Sequence, residues 1–405
     1  MLFPLLDKRV SCELDELLDL VARTFPLQER FRRNLPKDVA ELSRLLTSER
    51  GSRDTGYLGR PALLSAYLYH YLPWNVFRLC RLLAGLNAEL YTPSLSESEK
   101  KPAPLGLVAE DTITDLGSGP LTLPIALWVS FPELRSRKLE FRCVDRTGAV
   151  LDAGRKLFDA LVMETGGPRL WSVKTIRGPL DAPLYGKAAR FAAAINVFNE
   201  IKGSRNLERE AEKAAALLVS RAAADGSVLV MEPGTPPSAR FLECLRAALL
   251  ARGFALQAPC PHNARCPMSG GKNKKWCHFP VTTGDAPARL KALSAAAGIP
   301  KERAVLSFLL AGKNRPESPA ALRVISDAFP LPVPHSAVAA DIAPGAGASL
   351  PAERYGRYCC HEQGLALLRG SAAEIDPVLP GALVKAAACG RDSRSGAILY
   401  EEVRP

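Results

Sequence analysis

Thr112-Ile-Thr-Asp-Leu-Gly-Ser-Gly-Pro-Leu-Thr-Leu-Pro124 reads as a strand, a glycine turn and the start of a helix. Gly117 and Gly119 let the backbone approach a ligand closely, and the helix beyond them offers its positive N-terminal end. From Leu105 onward, strand patterns alternate with helical ones, the signature of an open, mainly parallel α/β sheet. The expected strands are 112–116, 139–144, 172–176, 191–197 and 227–232. A helix over 237–252 follows, then strands at 254–259 and 304–310.

The loop chemistry narrows the ligand. A dinucleotide fold wants glycine or alanine three positions after Gly119, yet Thr122 stands there and Pro120 follows directly. Asp115 at the strand end suits a cationic amino group better than a pyrophosphate. Asp145 ends the next strand, where a carboxylate can accept both ribose hydroxyls. S-adenosylmethionine has these parts: an amino acid end for Asp115 and the Gly117-Ser118-Gly119 turn, and a ribose for Asp145. The bland alternative is a tight strand-to-helix turn in some other α/β protein. Asn196-Val-Phe-Asn-Glu200 follows the fourth strand, so Asn196, Asn199 and Glu200 are the candidate catalytic groups facing the transferred methyl. This is not the Asn-Pro-Pro-aromatic arrangement that positions an amino group for methylation. The acceptor atom, and methyl transfer itself, therefore stay open. Glu232-Pro-Gly-Thr235 ends the fifth strand and reads either as crevice lining or as a simple turn.

A second stretch, Ala258-Pro-Cys-Pro-His-Asn-Ala-Arg-Cys-Pro through Trp276-Cys-His-Phe279, has no helical or strand period. Without an apolar face to bury, it needs another source of shape, and thiolates are soft metal ligands. Cys260, Cys266 and Cys277 are spaced C-x5-C and C-x10-C, wider than the usual structural zinc pairs. Zinc with His262 or His278 remains an alternative. A fourth thiolate from Cys359 or Cys360, with Cys389 behind them, suits a 4Fe–4S cluster. Pro259-Cys260 also has the form of a pyrimidine C5 methylation nucleophile, although it follows the sixth strand rather than the fourth. Lys272, Lys274 and Lys275 beside Trp276 suit RNA backbone and base stacking, or simply a solvated loop.

The 405 residues carry a net charge of +11, which favours a polyanionic partner such as nucleic acid. No run of about eighteen apolar residues occurs, so no membrane-spanning helix is expected. The N-terminus meets acidic Asp7, Glu13, Asp15 and Glu16 early, unlike a signal or transit peptide. Ten cysteines then point to a reducing compartment, with Cys12, Cys80, Cys143 and Cys244 read as core thiols. Residues 1–104 read as a helical domain: a leucine stripe over 13–23, Asp38 capping 39–46, Pro61 opening one helix and Pro73 restarting another. Arg30, Arg32, Arg33 and Lys37 form a basic cluster, either a solvated helix end or an RNA contact. His70 reads as packed and hydrogen-bonded, and 93–104 as a linker. The domain 105–315 holds the sheet and the cysteine segment 258–279. Residues 316–405 form a small β-rich region with strands near 357–360 and 397–403.

Taken together, these residues resemble the methyltransferase-like proteins of the small ribosomal subunit, found in bacteria and mitochondria. The likeness runs through Ala66-Tyr-Leu-Tyr-His-Tyr-Leu-Pro73, Asp115-Leu-Gly-Ser-Gly-Pro120, Val230-Met-Glu-Pro-Gly-Thr235, Ala258-Pro-Cys-Pro-His262, Arg265-Cys-Pro267 and Trp276-Cys-His-Phe279. It implies a class I methyltransferase (Rossmann-like) α/β fold that takes S-adenosylmethionine, with an N-terminal helical domain, a Cys-rich cluster insertion and a small β-rich C-terminal region. It also implies a 4Fe–4S cluster on Cys260, Cys266, Cys277 and Cys360, the last ligand lying four residues before Gly364, with Cys359 as the adjacent alternative. The implied partner is the small ribosomal subunit or its rRNA, with no membrane and a monomeric chain off the ribosome. The implied place is the bacterial cytoplasm or, in a eukaryote, the mitochondrial matrix. The resemblance leaves two roles, rRNA or ribosomal-protein methylation and non-catalytic subunit assembly. The segment from Phe279 to Lys301 is neutral and Ala-rich where relatives are often more basic.

Overall fold

A computed structural model describes residues 1–47, 56–91, 104–166, 169–200, 206–268, 275–313, 321–332, 354–392 and 395–404. The expected linker at 93–104 lies almost wholly outside these residues, as do Lys272 and Lys274.

The chain opens with α1 (Lys8–Thr24), whose N-terminus is closed by the Asp7 side chain accepting from the Val10 amide at 2.8 Å. Helix α2 runs from Glu29 to Leu46 without a break, so Asp38 lies inside it and caps nothing. The reason is packing: Leu35, Val39, Leu42 and Leu45 form one buried stripe that carries the helix through Pro36, against an interior-proline cost of about 3 kcal/mol. Arg32 and Arg33 of the basic cluster share Glu29 on an exposed face. Helix α3 (Pro61–Ala66) passes through one π turn, Tyr67–Tyr71, into α4 (Leu72–Leu90). The run is unbroken, since Tyr71 before α4 is itself helical, so Pro73 does not restart a helix as expected but sits just beyond the π turn. His70 is fully buried and bonded to the Ser294 hydroxyl at 3.0 Å.

Strand β1 (Thr112–Leu116) then leads to α5 (Thr122–Ser130), the short α6 (Pro132–Arg135), β2 (Leu139–Asp145), α7 (Gly148–Glu164), β3 (Trp171–Arg177) and β4 (Ala189–Ile195). After these come α8 (Leu207–Arg221), β5 (Ala222–Pro233), α9 (Pro236–Ala251), β6 (Ala255–Ala258), β7 (Phe279–Thr282), α10 (Ala288–Ala296) and β8 (Arg303–Gly312). The sheet order is β3-β2-β1-β4-β5-β8-β6. Strands β1 to β5 are parallel, and β8 enters antiparallel between β5 and β6. An open Rossmann-like sheet with that one reversed strand is the class I methyltransferase arrangement, and all of it follows from the pairings. Strand β7 was not foreseen. It pairs with the first half of β8 and β6 with the last, so Leu306 faces Pro233 on one edge and Phe279 on the other. The outer edge strand is thus interrupted, and residues 259–278 are the excursion.

The remaining strands are β9 (Leu322–Val324), β10 (Phe329–Pro330), β11 (Tyr355–His361), β12 (Gly364–Gly370), β13 (Leu383–Arg391) and β14 (Ile398–Arg404). Their pairings close a ring, β9-β11-β12-β14-β13 and back to β9, with β12 and β14 parallel and the short helix Ala372–Ile375 between β12 and β13. That is the arrangement of an OB-type barrel. Helices α1 and α4 share one apolar core with α5, α7 and one face of the large sheet. Cys80 and Cys143 are buried in it, whereas Cys12, expected in the core, is exposed on α1. No helix among the described residues is long and apolar enough to cross a membrane.

Candidate functional site

The carboxyl ends of β1, β2 and β4 meet where the strand order reverses, the place where α/β sheets bind ligands. A cavity of 650 Å³ opens there, lined by Gly117, Asp145, Arg146, Asn196 and Val197, with Tyr57 reaching over from the helical region. Gly117 has φ +68°, and a Cβ on it would stand 2.5 Å from Val197 Cγ2, so only glycine keeps this wall open. Helix α7 sits equally close to the turn, since a Cβ on Gly154 would fall 2.4 Å from the Pro120 backbone.

The two acidic residues differ in placement. Asp145 lines the cavity, and its carboxylate accepts from the Gly119 amide at 3.0 Å and the Thr147 amide at 2.8 Å. Each oxygen keeps a second lone pair for a ligand hydroxyl. Asp115 lies underneath the turn, 1% exposed, and does not line the cavity. Its Oδ2 accepts from the Ser118 hydroxyl at 2.5 Å and its Oδ1 has no partner. Burial pushes its carboxyl up to about 7, with the Asp145 charge adding to the shift.

The 196–200 edge is organised by a residue the sequence offered only as crevice lining or turn. Glu232 is fully buried and accepts from the amides of Val197 (3.0 Å), Phe198 (2.7 Å) and Asn199 (3.0 Å), and from the Asn199 side chain (2.8 Å). Burial nonetheless raises its carboxyl to about 7. The buried strand ending in Met-Glu-Pro was the only signal for it. Asn196 has φ +58°, ending β4 two residues before the expected limit, and its Oδ1 is buried without a partner. Asn196 and Tyr57 also line a second cavity of 530 Å³, so the two spaces share a wall.

The thiols meet elsewhere. Cys260, Cys266, Cys277 and Cys360 line one cavity of 290 Å³, and Cys359 does not. Strand alternation separates the last two: Cys359 faces the core of the small barrel, while Cys360 faces outward against the main core. Burial and the other thiols push Cys277 and Cys360 well up, and Cys266 to about 11. Among the described residues, no group of three or more His, Cys, Asp or Glu is placed to hold a metal ion.

The excursion also has support that its sequence did not announce. Arg246 donates to the carbonyls of His262 (3.1 Å) and Ala264 (2.5 Å), and Arg323 to that of Pro259 (2.8 Å). His262 Nε2 lies 3.2 Å from Cys360 Sγ.

In comparisons with known proteins, residues 192–331 match the family described as "Mitochondrial small ribosomal subunit Rsm22", roughly a third of the chain. That segment includes the 196–200 edge, Glu232, the three clustered cysteines and Arg323. The resemblance to the methyltransferase-like small-subunit family holds there. Similar solved structures include a methyltransferase from Pyrococcus furiosus, at 8% identity and TM-score 0.32, covering 51% of this chain and 77% of that one. Another is an SAM-dependent methyltransferase from Geobacter sulfurreducens in complex with S-adenosyl-L-homocysteine, at 13% identity and TM-score 0.30, covering 51% and 86%. A third, from Thiobacillus denitrificans with the same ligand, has 13% identity and TM-score 0.29 over 51% and 86%. The fold assignment stands on the strand pairings and not on these scores. No curated protein gave a significant match.

Proposed function

We propose that this chain binds S-adenosylmethionine at the β1–β2–β4 edge and transfers its methyl group to rRNA of the small ribosomal subunit during assembly. The observation that carries this is the shared wall: Asn196 and Tyr57 border both the donor-sized cavity at the glycine turn and the neighbouring aromatic cavity. A donor and an acceptor held on either side of one wall need little beyond positioning to react. Gly117 and Gly119 would cradle the donor backbone to backbone, Asp145 would take the ribose, and Asp115 would set the turn through Ser118. Asn196, with its unpartnered oxygen, is the candidate to orient the acceptor; Asn199 is committed to Glu232. Glu200 belongs to the same edge and remains a third candidate. S-adenosylmethionine supplies the electrophilic methyl group when bound.

The four thiols of the excursion line one cavity, and their wide spacing in sequence suits a 4Fe–4S cluster better than zinc. Cys260, Cys266, Cys277 and Cys360 would hold it, and its chemistry there is to lock the excursion onto the barrel. The net charge of +11 suits an rRNA partner, and the matched family's description, a mitochondrial small ribosomal subunit protein, is consistent with a ribosomal one. A second reading, a non-catalytic assembly factor, is favoured by the Asn199 amide being already engaged. Calorimetry with S-adenosylmethionine, followed by transfer of a labelled methyl group to purified small-subunit rRNA, separates the two. Binding with transfer supports the enzyme, and absence of binding removes it. Anaerobic purification should give about four iron and four sulfide per chain; a colourless zinc protein would exclude the cluster.

A further inference from the structure

The 530 Å³ cavity beyond the shared wall has two chemical halves. One is aromatic. Tyr67 and Tyr71 stack at 5.8 Å on the π turn, and Trp276 and His278 stack at 4.9 Å across from the end of β5. The second pair is held rigidly, since Trp276 Nε1 donates to the Gly234 carbonyl at 3.0 Å and His278 Nδ1 lies 3.0 Å from the Trp276 carbonyl. Cys277, between them, lines the thiol cavity and not this one, while Trp276 borders both.

The other half is cationic. Arg78 and Lys301 both line the cavity, and among the described residues neither forms an ion pair. Arg78 donates to the Val305 carbonyl at 3.2 Å and to Asn75, while its Nε is buried without a partner. Burial, reinforced by the Arg78 charge, pushes the Lys301 ammonium down to about 8. Two like charges sharing a semi-enclosed space raise each other's energy, and an anion between them relieves it. The Glu232 charge reaches Arg78, but that carboxylate already accepts from four donors.

We infer that this cavity is a phosphate-anchored nucleotide site, with an aromatic base among the Tyr67–Tyr71 and Trp276–His278 rings and its phosphate on Arg78 and Lys301. The inference rests on the methyl-acceptor reading for its role, and it adds an anion subsite and the residues that form it. Rings give stacking that tolerates different bases, and the cations add charge-assisted hydrogen bonds to phosphate oxygens.

The test uses the full-length protein saturated with S-adenosylhomocysteine, so that the donor cavity cannot take the probe. Calorimetry then compares UMP, CMP, AMP and GMP with their nucleosides, with inorganic phosphate and with a single-stranded hexaribonucleotide. At least one monophosphate should bind about tenfold more tightly than its nucleoside. Lys301→Gln should erase that difference while leaving nucleoside and S-adenosylhomocysteine affinity unchanged, and Lys301→Arg should restore it. Arg78→Gln provides the same readout where it folds. A hexanucleotide binding well beyond the monophosphate identifies RNA as the source, and equal binding identifies a free nucleotide; both support the site. Monophosphate and nucleoside binding alike, indifference to Lys301→Gln, or no nucleotide binding at all would overturn it. S-adenosylhomocysteine failing to bind while the monophosphate does would sink the donor reading and leave this site standing.

Discussion

Replacing Arg323 by methionine should both destabilise the fold and loosen the thiol excursion. Arg323 is 2% exposed and lies in register with Cys360 across the β9–β11 pairing. Its Nε donates to the Pro259 carbonyl at 2.8 Å, and its Nη1 to the Gly381 carbonyl at 2.7 Å and to Glu89 Oε2 at 2.9 Å. Nη2 meets the other Glu89 oxygen. One guanidinium thus ties α4, the residue before Cys260 and the strand beside Cys360. Methionine keeps the volume but removes the donor to the Pro259 carbonyl, leaves the Gly381 carbonyl only the Leu2 amide at 3.4 Å, and strands a carboxylate whose side chain is 14% exposed. Breaking one side of a buried ion pair costs about 3–5 kcal/mol. Glu89→Gln leaves an acceptor oxygen for the guanidinium and should cost only about 1–2 kcal/mol. The double variant should be less damaged than the sum of the two, by about 2 kcal/mol. Urea unfolding followed by tryptophan fluorescence gives the cycle, and the rate of thiol modification reports the excursion. An Arg323→Met protein within 1 kcal/mol of the parent, with additive singles and unchanged thiol reactivity, would refute the bridging role.

Asp115 has its folded-state pKa raised, so its contribution is fully present below about pH 4 and is lost as pH rises through about 7. Asp115→Asn should remove a fall of at most about 4 kcal/mol between pH 4 and 8; parallel stability profiles for the two proteins would contradict the burial argument. Gly154→Ala should push α7 off the Pro120 backbone and lower stability by about 1–3 kcal/mol, read as a urea midpoint; an unchanged midpoint would mean the turn yields freely. Cys360→Ser should lose iron and sulfide from anaerobic preparations while Cys359→Ser retains them, because the two side chains face opposite sides of β11. The reverse pattern would exchange the ligand assignment.

What the sequence disclosed and what it hid divide along a physical line. Strand β1, the glycine turn and the start of α5 were legible because their signals are local: a side-chain period, two glycines and a carboxylate within a dozen positions. The leucine stripe of α1 was legible for the same reason. Strand β7 and α10 were not, since four residues give no period and an alanine-rich helix has little apolar contrast. The barrel was hidden more deeply, because its closure depends on β9 finding both β11 and β13, pairings that leave no mark in any window of residues. The 530 Å³ cavity is the extreme case: Tyr67, Trp276 and Lys301 come from distant parts of the chain and read singly as core, loop and surface. Cys359 and Cys360 show the intermediate condition. Spacing could not choose between them, yet once β11 is known to be a strand, its two-residue alternation does. Nearby chemistry is therefore readable from types and spacing, whereas the excursion is fastened to α9, α4 and the barrel by two arginines that no window of residues marks out. Arg246 and Arg323 carry that function while looking, in sequence, like any other basic residue.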